Sequence, residues 1–279
     1  MTFLFFLIRV LGYFLPKGLA ELTTRGIARL FYYSVYRKGA SNHFSNLKAV
    51  FGDEIEEKKL REISKRAEYN LAIALYEHSI MDRLNSRNYS KYLKAENIEN
   101  LFQAYREGNG VVILSAHLGN YEWGAALMAF KGLPVAVMSI EYKTEFIKKL
   151  YEVNRKKVGI NVFYVRRSFS GLIRFLKKGG VLAIAADRKF GESNIQVELF
   201  SRKIEIPKGA FFLASRLDAS IVPAFSLKEQ DRLYHVYFEK PYKITGDQIE
   251  YGAKRYAKIL EKYVKRYPEQ WLVFDKIWD

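Results

Sequence analysis

The chain has 279 residues, 49% of them hydrophobic and 27% charged, which suits one large or two small folded domains and is typical neither of a disordered chain nor of a protein with many membrane passes. Lysine and arginine number 46 against 30 acidic residues, and the formal net charge of +16 attracts anions such as nucleic acid, phospholipid headgroups and acidic proteins. The sequence has no cysteine, which excludes disulfides, thiolate metal sites and a cysteine nucleophile.

The first predicted element is an apolar helix at the N-terminus. Residues 3–8 are apolar on every face of a helix, but the run contains Arg9 and ends at Pro16. It is therefore shorter than the roughly 20 residues that a spanning helix needs, and it has no small-residue cleavage site of the kind that follows a secretory signal. The basic residues that follow favour a helix in the membrane interface, with a buried core helix as the alternative. We expect residues 1–40 to be membrane-associating and 41–279 to form the main domain.

The rest of the chain alternates between strand and helix patterns. Apolar residues at helical spacing run from about 57 to 84, and a short helix is predicted over 97–107. Short apolar, β-branched runs then predict buried strands at 111–116, 135–139, 162–165, 181–185 and 221–225. Further helices are predicted at 120–130, 143–157, 168–178, 208–217 and 249–266, with a strand at 233–238. This alternation predicts an α/β fold with a mostly parallel central sheet flanked by helices.

One of the four histidines stands out by its position. His43 lies in a polar, loop-like stretch, His78 in a helix pattern and His235 in a strand pattern, and all three are expected to be structural or surface residues. His117 directly follows the first central strand. The carboxyl ends of the strands form the ligand crevice in open α/β sheets, so His117 is the candidate catalytic residue.

Glu122 is the candidate partner of that histidine. The two side chains can meet if His117 lies in a loop, Gly119 or Asn120 caps the following helix, and Glu122 lies in its first turn. An ionised carboxylate beside an imidazole fixes its tautomer and raises its basicity, so that the other ring nitrogen can take a proton from a hydroxyl. The alternative is a histidine at a strand end and a glutamate on a helix surface.

Several blocks of sequence occur in a characteristic order. The central block is the run from Gly110 to Glu122. The blocks before it are Asn46-Leu47 with Phe51-Gly52, and Leu75-Tyr76-Glu77. The blocks after it are Ala186-Asp187-Arg188-Lys189-Phe190-Gly191, the stretch from Ile206 to Pro223, and Pro268-Glu269-Gln270-Trp271. Together they resemble the late acyltransferases of lipid A biosynthesis, which belong to the wider group of glycerolipid acyltransferases with His-x4-Asp/Glu motifs. The resemblance covers nearly the whole chain.

This resemblance implies an O-acyltransferase that moves a fatty acyl group from an acyl thioester, usually acyl carrier protein, to a hydroxyl of a lipid acceptor. His117 would act as general base and Glu122 would orient it. Backbone N–H groups near Gly119 and Asn120, or a basic side chain, would stabilise the oxyanion. No metal or other cofactor is expected, and the place of action would be the cytoplasmic face of the bacterial inner membrane.

Further residues are candidates for binding the substrate. Arg155 could bind a phosphate or the oxyanion, and its structural alternative is an exposed charge on a helix. Asp187 could hold an acceptor sugar or organise Arg188, and its structural alternative is a cap in a loop. The remaining candidates are Asn120, Arg166 and Arg167.

The sequence also departs from the family pattern, which leaves the acceptor open. Lys189 stands where an acidic residue is usual, Lys208 where glycine is frequent, and Phe274-Asp275-Lys276 replaces a basic ending. The expected acceptor is a lipid A precursor or related anionic glycolipid, and the alternatives are a lysophospholipid or a phosphatidylinositol mannoside-like lipid. A basic nucleic-acid-binding protein is the non-enzyme alternative, although no nucleic-acid-binding motif is evident and we expect no nucleic acid partner.

Overall fold

The structure of the protein is a computed structural model that describes residues 7, 9–10, 12–15, 18–19, 22–24, 26, 37–139, 144–164 and 169–278. The strands in this part of the chain are β1 (Leu93–Glu96), β2 (Val111–Ser115), β3 (Val135–Ser139), β4 (Ile160–Tyr164), β5 (Val181–Ala185), β6 (Asn194–Leu199), β7 (Arg202–Pro207), β8 (Ser220–Lys228) and β9 (Tyr234–Phe238). The longer helices are α1 (Arg37–Phe51), α2 (Glu57–Ser79), α3 (Ile98–Arg106), α4 (Tyr121–Phe130), α5 (Glu145–Lys157), α6 (Phe169–Lys177), α7 (Lys208–Leu217) and α8 (Ile249–Arg266).

Seven of these strands form one sheet in the order β1-β9-β8-β2-β5-β3-β4. The five strands from β8 to β4 are parallel to one another, whereas β9 is antiparallel to β8 and β1 is parallel to β9. The predicted α/β fold with a mostly parallel sheet is therefore confirmed. The sequence patterns did not predict β1 or the separate antiparallel hairpin of β6 and β7, which lies outside the main sheet.

Helices cover both faces of the sheet, and this explains why its central strand β2 is apolar from Val111 to Leu114. Successive residues of a strand point to opposite faces. In β2, Val112 and Leu114 belong to the core that also contains α6, α7 and α8, whereas Val111 and Ile113 belong to the core formed with α3 and α4. A strand buried on both faces has no position for a polar side chain, which makes the polar residues beyond its end conspicuous.

The charged residue within the apolar N-terminal run has a partner in the folded domain. Arg9 donates to Asp82 Oδ2 at 2.9 Å, to Asn154 Oδ1 at 3.1 Å and to the carbonyl of Ser79 at 2.7 Å. The Asp82 side chain is 1% exposed, so the ion pair compensates its buried charge. In the part of the chain that the structure describes, no helix combines the length and the apolarity needed to cross a membrane. Most residues of the predicted segment 1–40 lie outside the described ranges, so its role remains a prediction.

Candidate active site

The site lies where β2 and β5 end side by side. The two strands are parallel neighbours, and Ser115 at the end of β2 pairs with Ala185 at the end of β5. His117 and Asp187 each follow two residues beyond this last pair. Equal offsets on neighbouring parallel strands bring the two side chains to the same point at the sheet edge.

His117 and Asp187 are joined by two hydrogen bonds. The ring nitrogen Nδ1 of His117 lies 2.7 Å from Asp187 Oδ1, and the His117 backbone N–H donates to Oδ2 at 2.9 Å. The indole N–H of Trp271 donates to the same Oδ2 at 3.2 Å. An ionised carboxylate can only accept, so Nδ1 carries the proton and Nε2 is the basic nitrogen.

The electrostatics of the pair favour an ionised carboxylate. The Asp187 side chain is fully buried, and burial by itself raises the pKa of a carboxyl. The charge and the two hydrogen bonds of His117, together with the charge of Arg188, outweigh that effect and hold the pKa of Asp187 below its ordinary value. Asp187 is therefore enclosed and bound to His117, and its predicted roles, which are to hold an acceptor sugar or to organise Arg188, stay predictions.

The expected pairing of His117 with Glu122 is corrected. Glu122 forms a bidentate ion pair with Arg155, whose Nε and Nη2 lie 3.0 and 2.5 Å from its two carboxylate oxygens. Burial raises the pKa of Glu122, but the adjacent guanidinium outweighs burial and the pKa lies below its ordinary value. Sequence spacing placed Glu122 correctly in the first turn of α4 but could not show that α5 brings a cation to it.

The loop between His117 and α4 is held by backbone hydrogen bonds to two other segments of the chain. The N–H of Gly119 donates to the Gln270 carbonyl at 2.8 Å, and the N–H of Asn120 donates to the Ser226 carbonyl at 3.0 Å. Asn120 caps α4, as predicted, because its side chain accepts from the N–H of Trp123 at 3.0 Å.

These bonds change two assignments made from the sequence. The N–H groups of Gly119 and Asn120 are already used by carbonyls within the protein, so they are not available as oxyanion donors. The Asn120 amide also donates to Glu77 at 2.8 Å and is 3% exposed, so Asn120 has a structural contact instead of the predicted substrate contact.

A cavity of about 930 Å³ opens beside the His117–Asp187 pair. That volume is at the upper end of the range typical of small-molecule sites. His117, Glu122 and Arg155 line it together with apolar side chains from α2, α4, β3, β5 and the C-terminal segment, among them Leu71, Ala125, Val137, Met138, Ala183 and Leu272. Basic side chains also line it, namely Lys38, Arg188, Lys189 and Lys276.

The structure places the other predicted residues as follows. Arg188 lines the cavity and forms an ion pair with Asp275. Arg166 and Arg167 lie outside the described residues. Among the described residues, no group of three or more His, Cys, Asp and Glu side chains is arranged to hold a metal ion.

The other three histidines are not among the residues that line the cavity. The prediction of a loop around His43 is wrong, because this residue lies in α1, is fully buried and contacts Ser64 and the Trp271 carbonyl. His78 is buried near the end of α2 and stacks on Tyr151, and His235 lies in β9 between Glu96 and Asp231.

A buried carboxylate, an imidazole held by it and a partly apolar cavity at the carboxyl ends of parallel strands define an α/β enzyme with the chemistry to activate a hydroxyl group. Residues 1–279 match the family described as bacterial lipid A biosynthesis acyltransferase. The chain is 23% identical over 235 residues to Lipid A biosynthesis palmitoleoyltransferase of Escherichia coli (strain K12), covering 81% of this chain and 74% of the relative.

Two further relatives show similar levels of identity. Lipid A biosynthesis lauroyltransferase of Escherichia coli (strain K12) is 22% identical over 233 residues, covering 81% of this chain and 74% of the relative. Phosphatidylinositol mannoside acyltransferase of Mycolicibacterium smegmatis (strain ATCC 700084 / mc(2)155) is 22% identical over 185 residues, covering 65% of this chain and 60% of the relative. The chain therefore belongs to the bacterial lipid A biosynthesis acyltransferase family and is an O-acyltransferase.

Proposed function

We propose that the protein transfers a fatty acyl group from an acyl thioester, with acyl carrier protein as the donor, to a hydroxyl of a lipid A precursor or a related anionic glycolipid. The observation that carries this proposal is the His117–Asp187 pair beside a cavity of about 930 Å³. The relatives named for acyl transfer to lipid A or to phosphatidylinositol mannoside support a glycolipid acceptor.

The reaction needs a base, and His117 supplies it. Its Nε2 takes the proton of the acceptor hydroxyl while the oxygen attacks the thioester carbonyl carbon. The tetrahedral intermediate then collapses, the carbon–sulfur bond breaks, and the leaving sulfur takes the proton from Nε2. The products are the acylated lipid and the free thiol. Asp187 holds the ring and stabilises the imidazolium that forms during the reaction.

The oxyanion of this intermediate requires a donor other than the N–H groups of Gly119 and Asn120, which already donate to carbonyls of the protein. Arg155 lines the same cavity as His117, and Glu122 grips its guanidinium through Nε and Nη2. We propose that Arg155 stabilises the negative charge that develops on the carbonyl oxygen and that Glu122 holds Arg155 in place. This replaces the role in which Glu122 orients His117.

The acceptor class follows from the charge at the cavity. Lys38 and Lys276 line it, and among the described residues neither has an acidic partner. Arg188 and Lys189 line the same cavity and form ion pairs with Asp275 and Glu205, respectively. Uncompensated cations attract an anionic headgroup, and the net charge of +16 steers both an anionic lipid and an acidic carrier protein toward the surface.

Two other lipid classes could accept the acyl group in the same reaction. The mycobacterial relative favours a phosphatidylinositol mannoside-like acceptor, and a lysophospholipid also carries a phosphate and a free hydroxyl. Nucleic-acid binding is not retained, because the chain is a member of an acyltransferase family.

We place the reaction at the cytoplasmic face of the bacterial inner membrane, with residues 1–40 as a peripheral or monotopic anchor. Large apolar side chains near the N-terminus support this assignment, since Phe14 is 83% exposed and Leu22 60% exposed. Exposed apolar side chains next to basic residues are the features of an interfacial segment.

The test is a transfer assay with the full-length protein in vesicles. Labelled acyl carrier protein and acyl coenzyme A are offered separately with a lipid A precursor, a phosphatidylinositol mannoside and a lysophospholipid, and the products are identified by mass spectrometry. We expect the acylated anionic glycolipid as main product with the carrier-protein donor, and no product from His117→Ala. Transfer only to the lysophospholipid, or equal transfer by His117→Ala, contradicts the proposal.

A further inference from the structure

A buried glutamate on α2 contacts the loop that carries His117. Glu77 is 1% exposed, and its carboxylate accepts a hydrogen bond from Asn120 Nδ2 at 2.8 Å and another from the Tyr234 hydroxyl at 2.7 Å. Lys228 Nζ lies 3.4 Å from its other oxygen. A buried carboxylate is costly unless it is paired, so these contacts account for its presence there.

The chemistry of Glu77 decides which way the Asn120 amide points. A carboxylate only accepts hydrogen bonds, so it selects the NH₂ group of Asn120. The amide oxygen then faces the other way and accepts from the N–H of Trp123, which caps α4. The opposite amide orientation would turn the carbonyl toward the Glu77 carboxylate and the NH₂ group toward an N–H.

Asn120 links the two functional positions on either side of it. It lies three residues after His117 and two before Glu122, and its own N–H is bonded to the Ser226 carbonyl. A shift of the Asn120 side chain therefore moves both the end of the His117 loop and the first turn of α4.

We propose that Glu77 is a positioning residue for acyl transfer. As a carboxylate it fixes the Asn120 amide, and through the Asn120 cap it holds His117 and Glu122 in their places at the cavity. The inference rests on the proposed function, because it assigns Glu77 to the same reaction.

The experiment exchanges donor and acceptor between the two residues. Glu77→Gln keeps the size of the side chain but no longer selects the amide orientation, and Asn120→Asp places a carboxylate against Glu77. In the double variant Glu77→Gln/Asn120→Asp the glutamine NH₂ donates to the aspartate, whose second oxygen still caps Trp123. The readouts for wild type and variants in vesicles are kcat, KM, and deuterium exchange of segment 117–124.

We expect each single variant to lower kcat on the order of 10- to 100-fold with KM nearly unchanged, since small displacements of reacting groups have effects of that size. Exchange in segment 117–124 should rise in both, and the double variant should recover most of kcat and of the protection. The control is Glu239→Gln, which removes a carboxylate that also accepts from a tyrosine hydroxyl and a lysine but lies beyond the end of β9. It should leave kcat and segment 117–124 unchanged.

The outcomes separate this proposal from the proposed function. An inactive wild type refutes the proposed function, and the exchange pattern then still decides whether Glu77 orders the loop. An active wild type with an unaffected Glu77→Gln variant overturns the positioning role. So does a loss of kcat that the double variant fails to restore.

Discussion

Asp187 holds His117 at two points, through the ring Nδ1 at 2.7 Å and through the backbone N–H at 2.9 Å. The same carboxylate thus fixes the position of the residue and the tautomer of its ring. This relationship makes Asp187, and not Glu122, the acidic partner whose loss should affect the base most directly.

The first prediction concerns Asp187→Asn. The variant keeps the shape of the side chain but no longer requires the proton on Nδ1, and it removes the negative charge that stabilises the imidazolium. We expect kcat to fall about 10²- to 10⁴-fold, the range that positioned acid–base catalysis contributes. Transfer assays measure this, with circular dichroism to check folding. A folded Asp187→Asn variant with wild-type kcat would falsify the assignment.

The second prediction concerns the ion pair of Glu122 and Arg155. The two side chains are 8% and 6% exposed, so removing one partner leaves a buried charge uncompensated. We expect Arg155→Met to lower the free energy of unfolding by about 3–5 kcal/mol. The double variant Glu122→Gln/Arg155→Met should lose clearly less than the sum of the two single variants. Urea unfolding followed by tryptophan fluorescence measures the coupling, and strictly additive losses would contradict it.

The third prediction concerns Gly119. Its φ of +62° is in the left-handed region, and an added Cβ would lie 2.0 Å from the Ser226 carbonyl oxygen. We expect Gly119→Ala to displace the loop next to His117 and to lower both kcat and thermal stability. Gly132 is the matched control, since its φ is +85° but nothing lies within 4 Å of an added Cβ. Gly132→Ala should cost only about 1–2 kcal/mol of backbone strain and leave kcat unchanged.

The fourth prediction concerns stability in mild acid. Burial lowers the pKa of His43 and of His78 to about 4, from an ordinary value of 6.5. Between pH 6.5 and 4 the unfolded chain therefore binds protons that the folded protein does not, and stability is lost as the pH falls. Each histidine contributes up to about 1.4 kcal/mol per pH unit in this window. The free energy of unfolding at pH 7, 6 and 5 should decline less steeply in His43→Gln than in wild type, and parallel profiles would count against this account.

The sequence and the structure agree best where the local pattern is strong. The apolar, β-branched runs at β2, β3 and β5 and the helices between them were predictable, because a strand buried on both faces needs such residues. β1 and the β6–β7 hairpin were missed. β1 has only four residues with one buried side chain, and the hairpin pairs outside the main sheet.

The candidate site was predictable in part. His117 was identified because it follows a buried strand, whereas Asp187 was named only as a candidate residue for binding the substrate or organising Arg188. The sequence already contains a signal that relates them, since His117 lies one residue and Asp187 two residues beyond the end of a predicted strand. That signal could be used only if the two strands were known to be neighbours.

The sequence by itself determined the fold class, the strand that precedes His117, a helix cap at Gly119 or Asn120, and the resemblance to the family. These depend on local periodicity and short motifs, which neighbouring residues specify. Only the tertiary structure decided the partners, because β2 pairs with β5 although two strands and three helices lie between them along the chain, and α5 brings Arg155 to Glu122. Two charged side chains become partners when segments that are distant in the sequence pack together. The spacing of the two residues along the chain does not specify how far apart they lie in the folded protein.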